Sequence, residues 1–262
     1  MIQEVEAAEA ERAAAIVTAE GAVAIRRVGD LPLLTGLRAA LETCLSEDAA
    51  RFGADHRFPG MVHALPIRGS VFLEYLKLPG FRAPLQRLLG HGCIVQGYNS
   101  SCVPPRAINY ARTIHVDSPR WVEGYITNVT AIMAVDPFTL ETGGIEILPD
   151  SFRIPEQPTL EEFDARCERP QLSAGDVLMF NSRCWHRSGI NRGERWRHGV
   201  SATMCRAYMR QQFDFPRLLD AQGIQVDDES VRQILGWYVR MPTSIEEFLL
   251  PPDQRPYRPN QE

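Results

Sequence analysis

His115-Val116-Asp117 sets two metal-ligating side chains two residues apart, and a further histidine, His186, follows later in the chain. Residues i and i+2 of an extended segment project to the same side of the backbone. A second imidazole brought to that side completes a set of two histidines and one carboxylate. Such a facial set holds Fe(II) on one side and leaves the remaining positions open for oxygen chemistry. With only six histidines in the chain, chance alone supplies about a third of one His-x-Asp match, so the triplet needs support from its surroundings.

That support comes from three neighbours. His115 ends a predicted strand, Ala107 to His115, and opens a Ser118-Pro119 turn, and sites gather where strands end. His186 follows a Gly175-Asp176 turn and the apolar run Val177-Leu178-Met179-Phe180. Arg197 lies eleven residues beyond His186, at the start of the next predicted strand. A guanidinium grips a carboxylate with two parallel hydrogen bonds. A dicarboxylate such as 2-oxoglutarate could therefore chelate the iron through its keto acid end and rest its far carboxylate on Arg197. Ser188 shares the strand face of His186 and offers that carboxylate a hydroxyl. The blander alternatives are a surface ion pair of Arg197 with Glu194, a competing Arg195, and a simple turn hydroxyl at Ser188. His198 is expected on the strand face opposite Arg197. His56, His63 and His91 fall in the helical half without partner spacing. Candidate substrate contacts are Arg112, Asn128 and Trp121; Thr130 shares the strand face of Asn128.

The elements that position these residues divide the chain in two. The first 92 residues read as a mostly helical buttress. Helices are expected over Glu4 to Ala19, stopped by Gly21; over Leu33 to Leu45, after Pro32; and over Phe81 to Leu89, closed by Gly90. Ala22 to Ile25 reads as a short strand. From Cys93 to Met209 the pattern changes to strands: Cys93 to Tyr98, Ala107 to His115, Tyr125 to Val135, Gly144 to Leu148, Val177 to Phe180, Trp185 to Ser188 and Val200 to Tyr208. A helix over Thr159 to Arg169, capped by Thr159, interrupts them and is placed to cover a cavity mouth. Residues 210–262 are mixed, with a helix around Ser230 to Val239 and a Pro-rich tail from Pro251. Helices followed by many short strands predict a single mainly β domain over 1–262, a sandwich or open barrel flanked by helices.

Residues from about Cys93 to Tyr208 resemble the phytanoyl-CoA dioxygenase family of Fe(II)/2-oxoglutarate oxygenases. The resemblance rests on His115-Val116-Asp117, on the run from Glu141-Thr142-Gly143-Gly144 to Pro149-Asp150-Ser151-Phe152, and on His186-Arg187-Ser188 leading to Arg197. It implies a double-stranded β-helix (jelly-roll, cupin-like) core. It also implies iron held by His115, Asp117 and His186, 2-oxoglutarate held by Arg197 and Ser188, O2 as oxidant, and release of succinate and CO2. The family's Pro-Gly-Ser-His is here Pro149-Asp150-Ser151-Phe152, which removes no metal ligand. Some relatives carry a small residue in place of the acidic ligand and bind halide there; Asp117 disfavours halogenation.

Composition narrows the rest. The 262 residues are 44% apolar and 23% charged with a net charge of −5, which leaves no electrostatic footprint for nucleic acid. No apolar run reaches the length of a membrane span. The acidic N-terminus is unlike a secretory signal. Six scattered cysteines without a CxxC pair fit a reducing cytoplasm and buried apolar roles. The expected partner is a small-molecule substrate; the oligomeric state, monomer or homodimer, is open. Two other classes fit the same scaffold: a cupin-type metalloenzyme without 2-oxoglutarate, and a non-catalytic ligand-binding β-barrel.

Overall fold

The computed structural model describes residues 1–53, 58, 60–259 and 261; His56 lies outside them. Among the described residues, eight strands form two sheets. β1 (Gln3–Glu6), β2 (Ala22–Arg26), β6 (Val177–Asn181), β4 (Asn128–Ala134), β8 (Gly199–Cys205) and β3 (Ile94–Ser100) make the larger sheet, in that order. β5 (Ile145–Ile147) pairs with β7 (His186–Ser188) in the smaller one. Every pairing is antiparallel except β1 on β2.

Side-chain alternation decides what each face meets. Val129, Ala131 and Met133 of β4, with Val177 and Met179 of β6, join a core that includes residues of α1 (Ala10–Glu20), α2 (Leu31–Phe52), α3 (Ser70–Lys77) and α4 (Pro79–Leu89). Ile132, Ala134, Leu178 and Phe180 point the other way and pack with Ile145 and Ile147 of the smaller sheet. The result is a jelly-roll core with helices stacked on one face, as the sequence predicts. Inner-face polar residues, Asn128 and Thr130 among them, are held between the sheets.

Several elements differ from expectation. Residues 3–6 form β1 instead of starting a helix, because they pair with the edge of β2 and bury Val5. Pairing overrides the helix preference of Glu and Ala; α1 begins only at Ala10 and ends at left-handed Gly21. α3, absent from the sequence reading, buries Phe72, Leu73, Tyr75 and Leu76. The strand expected over Ala107 to His115 is reduced to single pairings at Ala107 with Asn191 and at His115 with His186. Between them the Asn109 side chain accepts the Ala111 amide and caps a 3-10 turn, Tyr110–Arg112, a local bond that competes with the sheet ladder.

The helix expected over Thr159 to Arg169 is α5 (Leu160–Arg166), with a capping box between Thr159 and Glu162. Its Asp164 pairs with Arg187, whose guanidinium also sits 4.8 Å from the Phe163 ring centroid. Arg187 alternates with His186 and Ser188 on β7, so α5 packs behind the strand that carries them. The C-terminal part adds α6 (Phe215–Ala221), α7 (Glu229–Leu235) and α8 (Ile245–Phe248).

Candidate metal and cosubstrate centre

Backbone pairing brings the triplet and His186 together. The amides and carbonyls of His115 and His186 exchange hydrogen bonds at 3.0 and 2.9 Å. The Ser182 carbonyl accepts the amides of Asp117 and Ser118, both at 3.0 Å. His115 is thus aimed by the first residue of β7 and Asp117 by Ser182 of the β6–β7 connection, without a regular strand. The Nε2 atoms of His115 and His186 each lie 3.7 Å from Asp117 Oδ1. All three ligand atoms fall within 4.8 Å of one another, a spacing that could hold a metal ion.

Both imidazoles are oriented by their second nitrogen. His115 Nδ1 sits 2.8 Å from the Thr113 carbonyl, and His186 Nδ1 sits 3.0 Å from the Cys184 carbonyl. Each Nδ1 therefore carries the proton, leaving Nε2 as a bare donor for a metal. The Phe180 ring meets His186 edge-on at 4.8 Å. Burial pushes the His186 pKa down, against the pull of Asp117, so the ring stays neutral as a ligand must.

Arg197 is the largest fully buried side chain, 1% exposed. It donates to the Ser101 carbonyl at 2.7 Å, to Ser101 Oγ at 3.3 Å and to the Gly143 carbonyl at 3.1 Å. Its carbon stands 4.0 Å over the Phe138 ring, and its Nε has no partner. Burial lowers its pKa to about 10. The surface alternative fails, since Glu194 pairs with Arg106, and Arg195 is exposed. Gly143 reaches this guanidinium at φ 76°, where a Cβ would come within 2.7 Å of the Asn191 amide nitrogen. Only glycine fits such an approach.

Ser188 is buried on β7 and paired with Ile145; its hydroxyl is 3.2 Å from the Gly189 carbonyl. Gly189 in turn packs on Gly143 and Gly144, so Ser188 adjoins the Arg197 cradle. His198 projects oppositely, as expected, and binds Asp136 with Nδ1 at 2.6 Å. Arg112 turns to the Ser188 carbonyl, 3.0 Å, and to Glu146, 3.4 Å. The Asn128 amide is engaged by Ser118 and Gln96 at 3.1 and 2.9 Å. Trp121 is 49% exposed on the loop before β4, near exposed Val122 and Tyr125 in sequence.

Other residues complete the site. Thr130 donates to Asp117 Oδ2, and Ser182 contacts Thr130. Thr130 is visible in the sequence as a neighbour of Asn128 on one strand face; Ser182 carries no such signal. Tyr110, on the 3-10 turn, has its phenol pKa raised by burial and then by Asp117, while Arg197 opposes, which places it under the influence of both charges. In the variant turn, Ser151 accepts the Trp185 amide at 2.8 Å and thereby fixes the backbone just before His186. A second acidic group, Glu146 with Asp164 and Cys167, is neutralised by Arg112, Arg169 and Arg187.

Within a jelly-roll core, two imidazoles and one carboxylate converge and a guanidinium is buried, and two histidines with one carboxylate are the donor set of non-haem Fe(II) oxygenases. The sequence model of the family Phytanoyl-CoA dioxygenase (PhyH) matches residues 18–199. The chain belongs to that family, whose members are Fe(II)- and 2-oxoglutarate-dependent. It is 30% identical over 195 residues to two proteins, each called uncharacterized: Rv1501 of Mycobacterium tuberculosis and Mb1539 of Mycobacterium bovis. The match spans 72% of this chain and 71% of each relative. Among solved structures, the fold is similar to AviO1 from Streptomyces viridochromogenes (TM-score 0.60, 16% identity, 75% of this chain and 95% of that one). It is equally similar to HygX from Streptomyces hygroscopicus, solved with nickel and 2-oxoglutarate bound (TM-score 0.60, 15% identity, 76% and 88%).

Proposed function

We propose that this protein is an Fe(II)- and 2-oxoglutarate-dependent dioxygenase that hydroxylates a small metabolite or biosynthetic intermediate. The observation that carries the reading is the convergence of His115, Asp117 and His186; a buried Arg197, bonded to neutral oxygens and in no ion pair with a carboxylate among the described residues, supports it. The bound nickel and 2-oxoglutarate of HygX support it. The donor set fits the metal, because two bare imidazole nitrogens and one carboxylate oxygen suit non-haem Fe(II).

His115, Asp117 and His186 would hold the iron. Arg197 would take the far carboxylate of 2-oxoglutarate, with Ser188 as an additional donor. When bound, iron and 2-oxoglutarate supply the oxidising chemistry, with 2-oxoglutarate and O2 converted to succinate and CO2 as substrate is oxidised. The chain places the groups and shields them. Phe138 and Phe180 line the buried side, and Trp121, on an exposed loop, is the candidate rim residue facing substrate. Arg112 and Asn128 are the other candidates, reached by displacing one of their present partners.

The test is a metabolite screen read by succinate release from anaerobically iron-loaded protein exposed to O2. Substrate-dependent succinate that disappears in His115→Ala is expected. Equal succinate release from wild type and His115→Ala in the presence of every candidate would contradict the reading.

A further inference from the structure

We propose that Thr130 and Ser182 are positioning residues that determine which oxygen of Asp117 faces the metal. This rests on the oxygenase reading above and goes beyond its ligand set.

Thr130 is fully buried on the inner face of β4, and Ser182 is fully buried just past β6. Thr130 Oγ1 lies 2.6 Å from Asp117 Oδ2, 2.8 Å from Ser182 Oγ and 3.4 Å from Thr203 Oγ1. A hydroxyl has one proton to give and two lone pairs to fill, and an ionised carboxylate only accepts. Thr130 therefore gives its proton to Asp117, and Ser182 gives its own to Thr130. The polarity of the chain runs from Ser182 through Thr130 to Asp117, and Thr203 is placed to fill the remaining lone pair. The same Ser182 holds the Asp117 backbone through its carbonyl.

Occupying Oδ2 leaves Oδ1 as the atom equidistant from both imidazoles. A carboxylate without this tether could turn both oxygens to the metal. It would then fill a position that a keto acid and O2 need, since the facial set is useful only while its other positions stay open. Two adjacent hydroxyls thus keep the third ligand to a single oxygen, and they orient it as the carbonyls of Thr113 and Cys184 orient the histidines.

The experiment is anaerobic titration with Co(II), read by calorimetry and by the visible spectrum of the bound ion. Thr130→Val keeps the shape and removes the hydroxyl. It is expected to weaken Co(II) binding about 10- to 100-fold and to change the Co(II) spectrum, while Thr130→Ser restores both. Ser182→Ala, which leaves Asp117 and Thr130 in place, provides a second measure should Thr130→Val fail to fold; a smaller loss with a shifted spectrum is expected. Wild-type affinity and spectrum in folded Thr130→Val, or in Ser182→Ala where it stands in, would overturn the inference alone. Absence of Co(II) binding by the wild-type protein would instead sink the oxygenase reading, and this inference with it.

Discussion

Burying the guanidinium of Arg197 takes a cation out of water, and the fold answers it with neutral oxygens and one aromatic face. A buried charge without a charged partner is costly. In the function proposed above, the far carboxylate of 2-oxoglutarate would supply the missing anion. A hydrogen bond to a charged group contributes about 1.5–3 kcal/mol, so Arg197→Met should weaken 2-oxoglutarate binding at least about tenfold. Thermal unfolding with metal present checks this: ligand at 100 times its Kd should stabilise the wild type by about 2.7 kcal/mol, and that gain should vanish in the variant. His186 adds a pH dependence. Burial lowers its folded pKa below the ordinary 6.5, so the unfolded chain binds the proton more readily. Stability of the metal-free protein is therefore full above pH 6.5 and is lost as pH falls below it toward the depressed value. His186→Gln should flatten that slope in melting curves recorded across the acidic range.

The elements show which parts of the site were legible in the sequence. His115, Asp117 and His186, which their types and their places near strand ends already mark, are brought within ligand distance of one another, and Arg197 is buried. The strand over Ala107 to His115 was misleading, since one side-chain bond from Asn109 turns it into a 3-10 turn, and propensity cannot register a bond of that kind. Thr130 and Ser182 were not legible as ligand supports, because nothing in their types distinguishes a metal-loop tether from ordinary buried hydroxyls. The placement of α5 was illegible for a similar reason: the contact of Phe163 with Ile114, Leu148 and Trp185 is purely tertiary. Phe163→Ala should cost about 3–5 kcal/mol, measurable by denaturant unfolding. It should also weaken metal binding, since the same cluster backs the segments of both histidines. At Gly143, alanine meets a left-handed backbone and the Asn191 amide, so Gly143→Ala should destabilise by more than about 1 kcal/mol. It should also raise the Kd for 2-oxoglutarate by disturbing the carbonyl that Arg197 grips.

On the scale of the whole molecule, helices cover one face of the larger sheet, and the smaller sheet covers the other. The site lies between the sheets, where apolar walls and a few placed polar groups meet, as in most small-molecule sites. Among the described residues no helix is long and apolar enough to cross a membrane. The chain belongs to the PhyH family, and the geometry groups His115, Asp117 and His186 as a candidate metal site; with Arg197 they are the residues on which the proposed function rests. Anaerobic addition of Fe(II) and then 2-oxoglutarate, followed by visible absorption, tests them together. A charge-transfer band from the ternary complex is expected in the wild type, absent in His115→Ala and weakened in Arg197→Met at limiting 2-oxoglutarate. Iron binding with no band at any 2-oxoglutarate concentration would contradict it.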